Sequence, residues 1–283
     1  MDVLFPRTIQ ELRELFVSYP DGRILAGGTD LLVQIRKQGN KPSTLFSVEH
    51  LAQLQRVEVN ETELFIGAGV THQQLLECPI IKQHFPVLYD ALSVLGSPPI
   101  RHSGTLGGNV CTASPAGDTL PPLYVLGAKI AISEQTAQRC VPIAQFIRGP
   151  GHTILKQGEF VTGIYIPLPM PNTFSAYYKV GKRKALAISI ASLAVMLELN
   201  SDETVKNLKL AWGSVGPTVM MLPAVEDFLK GKILSDEVLA QAGEMVMLST
   251  KPIDDIRASA EYRRHLTANL LFYLCSDSRL DSI

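Results

Sequence analysis

Gly104-Thr105-Leu106-Gly107-Gly108-Asn109, continuing through Val110-Cys111-Thr112-Ala113-Ser114-Pro115-Ala116-Gly117-Asp118, is the stretch on which the reading of this chain turns. A second glycine pair lies upstream in Ala26-Gly27-Gly28-Thr29-Asp30. Without a Cβ, glycine turns sharply and lets another backbone or a ligand come close. Successive N–H groups exposed at such a turn form a concavity that favours negative charge. Two such turns predict a ligand with two adjacent phosphates, as in a dinucleotide. The strand-like run Arg23-Ile24-Leu25-Ala26 feeds the upstream pair. Thr29 or Asp30 then caps a helical stretch containing Leu31, Leu32, Val33 and Ile35. A strand, a glycine turn and a helix N-terminus in succession suit a phosphate.

Other chemistries find little support. Gly67-Ala68-Gly69 begins a G-x-G-x-x-G fingerprint, but His72 stands where the last glycine belongs. Neither a phosphate-binding P-loop nor the G-x-S-x-G elbow of serine hydrolases occurs. Cys78, Cys111, Cys140 and Cys275 are far apart and include no C-x-x-C pair, which argues against zinc or an iron–sulfur cluster. The histidines have no metal-ligand spacing; His102, beside the glycine-rich stretch, is the one to watch.

The 283 residues are 46% hydrophobic, enough for two or three packed subdomains. A net charge of −1 gives no sign of nucleic acid or an anionic membrane as partner. The mixed polar start is not a signal peptide, and no apolar run approaches the roughly 20 residues that span a bilayer. A soluble, cytoplasmic protein is expected.

Thr8-x-x-Glu11 reads as a capping box, and so does Thr71-x-x-Gln74. A hairpin is expected over 54–59 and 63–67, then a helix over 87–95. The glycine-rich stretch itself is expected to be a loop, because Gly and Pro are dense there. Residues 129–133 and 160–166 read as strands, and Pro167, Pro169 and Pro171 mark a boundary near Asn172. Beyond it, 174–179, 188–199 and 205–212 suggest an antiparallel sheet, with Trp212 in its core. Helical patterns follow at 224–229, 236–248 and 261–274, the last with Tyr262, Leu266, Leu270 and Leu274 four residues apart. Lys179, Lys182, Arg183 and Lys184 form a basic turn: either a solvated turn or a cationic rim over an anionic ligand or electron acceptor.

These motifs resemble the FAD-binding subunit or domain of the molybdenum hydroxylases, the family of xanthine dehydrogenase, aldehyde oxidase and carbon monoxide dehydrogenase. The resemblance is carried by 25–32, by Ile100-Arg101-x-x-Gly104-Thr105-Leu106-Gly107-Gly108-Asn109, and by Thr112-Ala113-Ser114-Pro115-x-x-Asp118. Gly149-Pro150-Gly151, Ile164-x-Ile166-Pro167 and Tyr178-Lys179 extend it, in family order. It implies an α+β fold: a two-subdomain FAD-binding domain of the vanillyl-alcohol-oxidase (PCMH) type over 1–172, with subdomains 1–57 and 58–172. A small α/β C-terminal domain would follow over 173–283, with an antiparallel sheet and helices.

The same resemblance implies FAD-binding positions at Ile24, Leu25, Ala26, Gly27, Gly28, Thr29, Asp30 and Leu31, and at Thr105, Leu106, Gly107, Gly108 and Asn109. It adds Asp118, Val161 and Lys179, the last as a lysine beside the flavin. Leu95 stands at an aromatic position of the animal enzymes, so a stacking contact there is not carried over. No acid, base, nucleophile or metal ligand is implied, because the cofactor supplies the redox chemistry. The chain would be the FAD-carrying electron-transfer subunit of a larger oxidoreductase. Its partners would be a molybdenum-cofactor subunit and a 2Fe-2S subunit, its acceptor NAD or another oxidant. The Thr112–Pro115 run leans towards the xanthine dehydrogenase branch. A free-standing FAD-dependent reductase and a flavin-less scaffold are the alternatives.

Overall fold

The computed structural model describes residues 1–38, 41–134, 137–183, 186–277 and 280. They form two compact units. The first comprises Met1–Glu77, Ser97–Ala113 and Gly127–Leu168; the second comprises Cys78–Gly96, Ser114–Leu126 and Pro169–Ile283.

Among the described residues the first unit holds two main sheets and a two-stranded ribbon, Ile147–Gly149 with His152–Thr153. In the smaller, Thr44–Ser47 lies between Asp2–Leu4 and Arg23–Leu25, all parallel. Helix Ile9–Ser18 opens on half of the expected box: Thr8 Oγ1 accepts from Glu11 N at 3.0 Å, whereas Glu11 Oε2 reaches one residue past the cap and accepts from Arg7 N at 2.6 Å. Its Leu12 is buried with Phe46, Val48, Leu51, Leu54 and Phe160. In the larger sheet the order is Val57–Val59, Glu63–Gly67, Phe160–Pro167, Lys129–Ser133, Gln138–Pro142, all antiparallel. A bulge between Val161 and Gly163 leaves Thr162 out of the ladder, and its carbonyl accepts from Ala68 N at 3.0 Å. That bond orients the segment on which the glycine-rich stretch rests.

The glycine-rich stretch is not wholly a loop. Its residues Leu106–Thr112 form a short helix, and a second short helix, Pro98–Ser103, leads into it. Pro98 and Pro99 fall in the first turn, where a missing N–H costs nothing, and Thr105 caps the second helix through Gly108 N. The helix Leu106–Thr112 is only seven residues long, so its two glycines cost less than they would in the middle of a long helix.

The second unit is built on the antiparallel sheet Phe174–Gly181, Ser189–Leu199, Val205–Gly213 and Met220–Met221. Helices Pro223–Leu229, Asp236–Ser249 and Ala260–Asn269 supply its other layer. Trp212 is fully buried there, with Nε1 donating to Thr267 O at 3.2 Å. The helix expected over 261–274 breaks at Asn269 into a 3₁₀ turn, Leu270–Phe272, and a last turn, Tyr273–Ser276. Leu270, Leu271 and Leu274 are all buried, and tightening the chain at 270–272 brings the adjacent pair to the core together; Tyr262 is left half exposed.

No helix among the described residues is long and apolar enough to cross a membrane.

Trp212→Ala removes the largest buried side chain of this core and should cost about 3–5 kcal/mol. A chemical-denaturation midpoint no different from wild type would contradict the packing described.

Candidate functional site

The two glycine turns meet in the first unit. A Cβ built on Gly27 would lie 1.7 Å from the Ser103 carbonyl oxygen and 3.0 Å from Gly104 Cα. From the other side, a Cβ on Gly104 would fall 3.4 Å from Thr29 Oγ1 and 3.2 Å from His72 Cδ2. Only bare backbone fits at this crossing. Gly28 follows with φ +67°, the left-handed bend that glycine adopts at little cost.

The amides of the two turns are used differently. Gly28 and Asp30 accept through their carbonyls from Leu32 N at 3.1 Å and Gln34 N at 3.0 Å, starting helix Leu31–Gln38. The N–H groups of residues 27–31, in contrast, donate to no group among the described residues. The second turn was expected to offer its amides as well, and over 106–109 it does not. Leu106 N donates to Val70 O at 3.0 Å, Gly107 N to Ala68 O at 3.1 Å, Gly108 N to Thr105 Oγ1 at 3.0 Å and Asn109 N to Thr105 O at 2.9 Å. A bridge between Thr71 and Thr105 holds this turn against 68–72 and leaves the Thr105 N–H outside the pairing. Gly107 is needed because a Cβ would lie 2.5 Å from that of Ala68. The first turn is therefore the donor array and the second is its wall.

Asp30 joins the two. Its Oδ2 accepts from Gln34 Nε2 at 2.6 Å and from Thr112 Oγ1 at 3.1 Å, so the carboxylate is engaged by the framework rather than capping the helix. A cleft of about 590 Å³ opens at the junction, lined by Ala26, Gly27, His50, His102, Ser103 and Thr105 among others. Ile24 and Leu25 lie in the strand that delivers the turn, and Leu31 opens the helix that leaves it. Leu106 and Asn109 belong to helix Leu106–Thr112. Val161 is buried in the larger sheet opposite Ile132.

His72, which sequence reasoning left as an ordinary histidine, lies directly behind the crossing. Its backbone N–H donates to Gly104 O at 3.0 Å, and its buried imidazole Nδ1 has no partner among the described residues. Burial, with help from the Arg101 charge, pulls its pKa down from 6.5 to about 4. The imidazole is neutral at physiological pH and adds no cation to the site.

The remaining expected residues are in the second unit. Asp118 is buried and accepts from Lys179 Nζ at Oδ2 (2.7 Å) and from Tyr177 OH at Oδ1 (2.9 Å). Lys179 Nζ also donates to Val94 O at 3.1 Å. Burial pushes the Asp118 pKa up, while Lys179 and Tyr177 pull it back. The acid engages side chains, not backbone N–H groups. Tyr177 went unnoticed in the sequence, although its spacing of two from Lys179 along a strand puts both side chains on one face. Of the basic turn, Lys182 Nζ donates to Ile256 O and Arg183 to Leu186 O, both at 2.7 Å, whereas Lys184 lies outside the described residues. Leu95 is buried.

A turn offering free amides, closed by a wall whose amides at 106–109 are satisfied and sealed where a Cβ cannot enter, is suited to a diphosphate. Residues 1–169 match the FAD binding domain in molybdopterin dehydrogenase, and residues 176–277 match the CO dehydrogenase flavoprotein C-terminal domain. The chain belongs to that family of FAD-binding oxidoreductase components, and the expected α+β fold class holds. It is 30% identical over 273 residues to the xanthine dehydrogenase FAD-binding subunit of Escherichia coli O157:H7, covering 96% of this chain and 93% of that one. It is 32% identical over 239 residues to the nicotinate dehydrogenase FAD-subunit of Eubacterium barkeri, covering 83% and 81%. A chain of quinoline 2-oxidoreductase from Pseudomonas putida 86 superposes with a TM-score of 0.92 at 25% identity, over 98% of this chain and 96% of that one.

His72 generates a prediction. Below pH 6.5 the unfolded chain takes up a proton at this residue that the native state refuses until about pH 4. Stability should therefore fall as pH drops through that window, by up to about 3 kcal/mol from this group. Chemical denaturation of wild type and His72→Gln at pH 7, 5.5 and 4.5 checks it: the variant should lose less stability on acidification. Parallel pH profiles would contradict the assignment.

Proposed function

We propose that this chain is the FAD-carrying electron-transfer subunit of a multi-subunit molybdenum-dependent dehydrogenase. The observation that carries the reading is the run of unengaged amides at residues 27–31, packed on the bare backbone of Ser103 and Gly104. The amides of Gly27, Gly28, Thr29, Asp30 and Leu31 would hold the FAD diphosphate, with the Thr29 hydroxyl and the Thr105 N–H as further donors. Ile24, Leu25 and Ala26 deliver this turn. Leu106, Gly107, Gly108 and Asn109 would back it as framework, and Val161 would serve through its backbone. Asp118 and Lys179 would tune the flavin. Bound flavin takes up electrons singly and releases them in pairs, which suits a relay between iron–sulfur centres and a two-electron acceptor.

In finer detail, we propose partner chains carrying the molybdenum cofactor and 2Fe-2S clusters, NAD as acceptor, and a purine or another N-heterocycle as the substrate oxidised on the molybdenum chain. The relatives named for xanthine, nicotinate and quinoline support the heterocycle class. The functional division runs near Asn172, with FAD binding in 1–172 and the C-terminal domain in 173–283, and the compartment is the cytoplasm.

The purified wild-type chain should be yellow and release FAD on denaturation. Gly27→Ala forces a Cβ towards the Ser103 carbonyl and must part the two turns. It should weaken FAD at least about tenfold with the circular dichroism unchanged. A colourless wild type that takes up no FAD, or a variant with wild-type affinity, would sink the reading.

A further inference from the structure

The second unit contains a buried charge relay that the carried-over residues do not account for. Tyr177 and Lys179 project from one face of strand Phe174–Gly181 and grip the two oxygens of the same carboxylate, at 2.9 Å and 2.7 Å. The three side chains are nearly dry: Tyr177 is 6% exposed, and the Lys179 and Asp118 side chains are 8% and 9% exposed. Asp90 Oδ2 accepts from Tyr177 N at 3.3 Å, which steadies the tyrosine backbone. Lys179 also borders a cleft of about 410 Å³, together with Val94, Val180, Lys182, Arg183 and Leu186. Its ammonium is thus held by the Asp118 carboxylate and the Val94 carbonyl, and the residue lines ligand-sized space.

We infer that Tyr177 is a positioning residue: by donating to Asp118 Oδ1 it draws off part of the carboxylate's charge and leaves the Lys179 ammonium more strongly positive towards the group in that cleft. This rests on the proposal that Lys179 serves the flavin. A hydrogen bond to the ionised form of a carboxylate favours that form, and in a dry site the effect is little screened. Without the phenol, Asp118 either presents its full charge to Lys179 or takes its proton. Both outcomes lower the positive field at the cleft. Reduced flavin is more electron-rich than oxidised flavin, so a nearby cation favours it, and charge near the ring is a lever by which a protein sets the potential.

The test is the flavin potential of the full chain loaded with FAD, read with the affinity for oxidised FAD. Tyr177→Phe keeps the ring and deletes only the donor. Its potential should fall by about 30 mV, a tenfold change in the reduced-to-oxidised equilibrium for a two-electron couple. Affinity for oxidised FAD should stay within about threefold of wild type. Lys179→Met should lower the potential further. If Tyr177→Phe does not fold, 3-fluorotyrosine incorporated at position 177 makes a stronger donor and should raise the potential instead. An unchanged potential in Tyr177→Phe or the fluorinated protein, while Lys179→Met shifts it, overturns the role of Tyr177 and leaves the flavin assignment standing. An unchanged potential in Lys179→Met removes Lys179 from the flavin, and the inference fails with it.

Discussion

The contact between Gly27 and the Ser103 carbonyl is the constraint on which the site depends. Two backbones cross where a side chain of any size would separate them. Because they cross there, the amides of residues 27–31 stay free of internal partners while the turn remains fixed. A free amide array on a mobile loop would pay an ordering cost with every ligand bound. Here that cost is met in folding, by the Asp30–Thr112 bond, the Thr71–Thr105 bridge and the packing of Gly107 on Ala68. The second glycine element earns its place as a brace rather than as a second donor set.

The two units handle charge in opposite ways. The first presents neutral N–H donors beside a histidine kept uncharged by burial, and its one carboxylate at the turn is engaged by Gln34 and Thr112. The second buries a full ion pair with a phenol on its remaining oxygen. Amide dipoles suit a group whose charge is constant, such as a diphosphate. A buried ion pair suits a group whose charge varies, because the balance within the pair can be adjusted by its neighbours.

Much of this was legible in the sequence, and the limits have physical causes. The caps at Thr8 and Thr71 were legible because they are local: each threonine hydroxyl accepts from an N–H three residues on. The strands of the C-terminal sheet were legible as apolar runs over 174–179, 188–199 and 205–212. Glycine pairs marked where backbone must approach backbone, but glycine content alone does not say whether an amide ends on a ligand or on the next segment. For Leu106, Gly107 and Gly108 the answer depends on Val70, Ala68 and the Thr105 hydroxyl, two of them more than thirty positions away. The break at Asn269 was hidden because a spacing of four looks continuous until Leu271 also needs the core. Tyr177 escaped notice because its partner is 59 positions distant. The grouping of 78–96 and 114–126 with the C-terminal unit is likewise settled by packing rather than by local pattern.

Amide hydrogen exchange on the full chain, with and without FAD, tests the central claim most directly. Residues 27–31 should exchange freely in the cofactor-free protein and become protected when FAD binds, while residues 106–109 should be protected in both states. Bound FAD that leaves 27–31 unprotected would contradict the account.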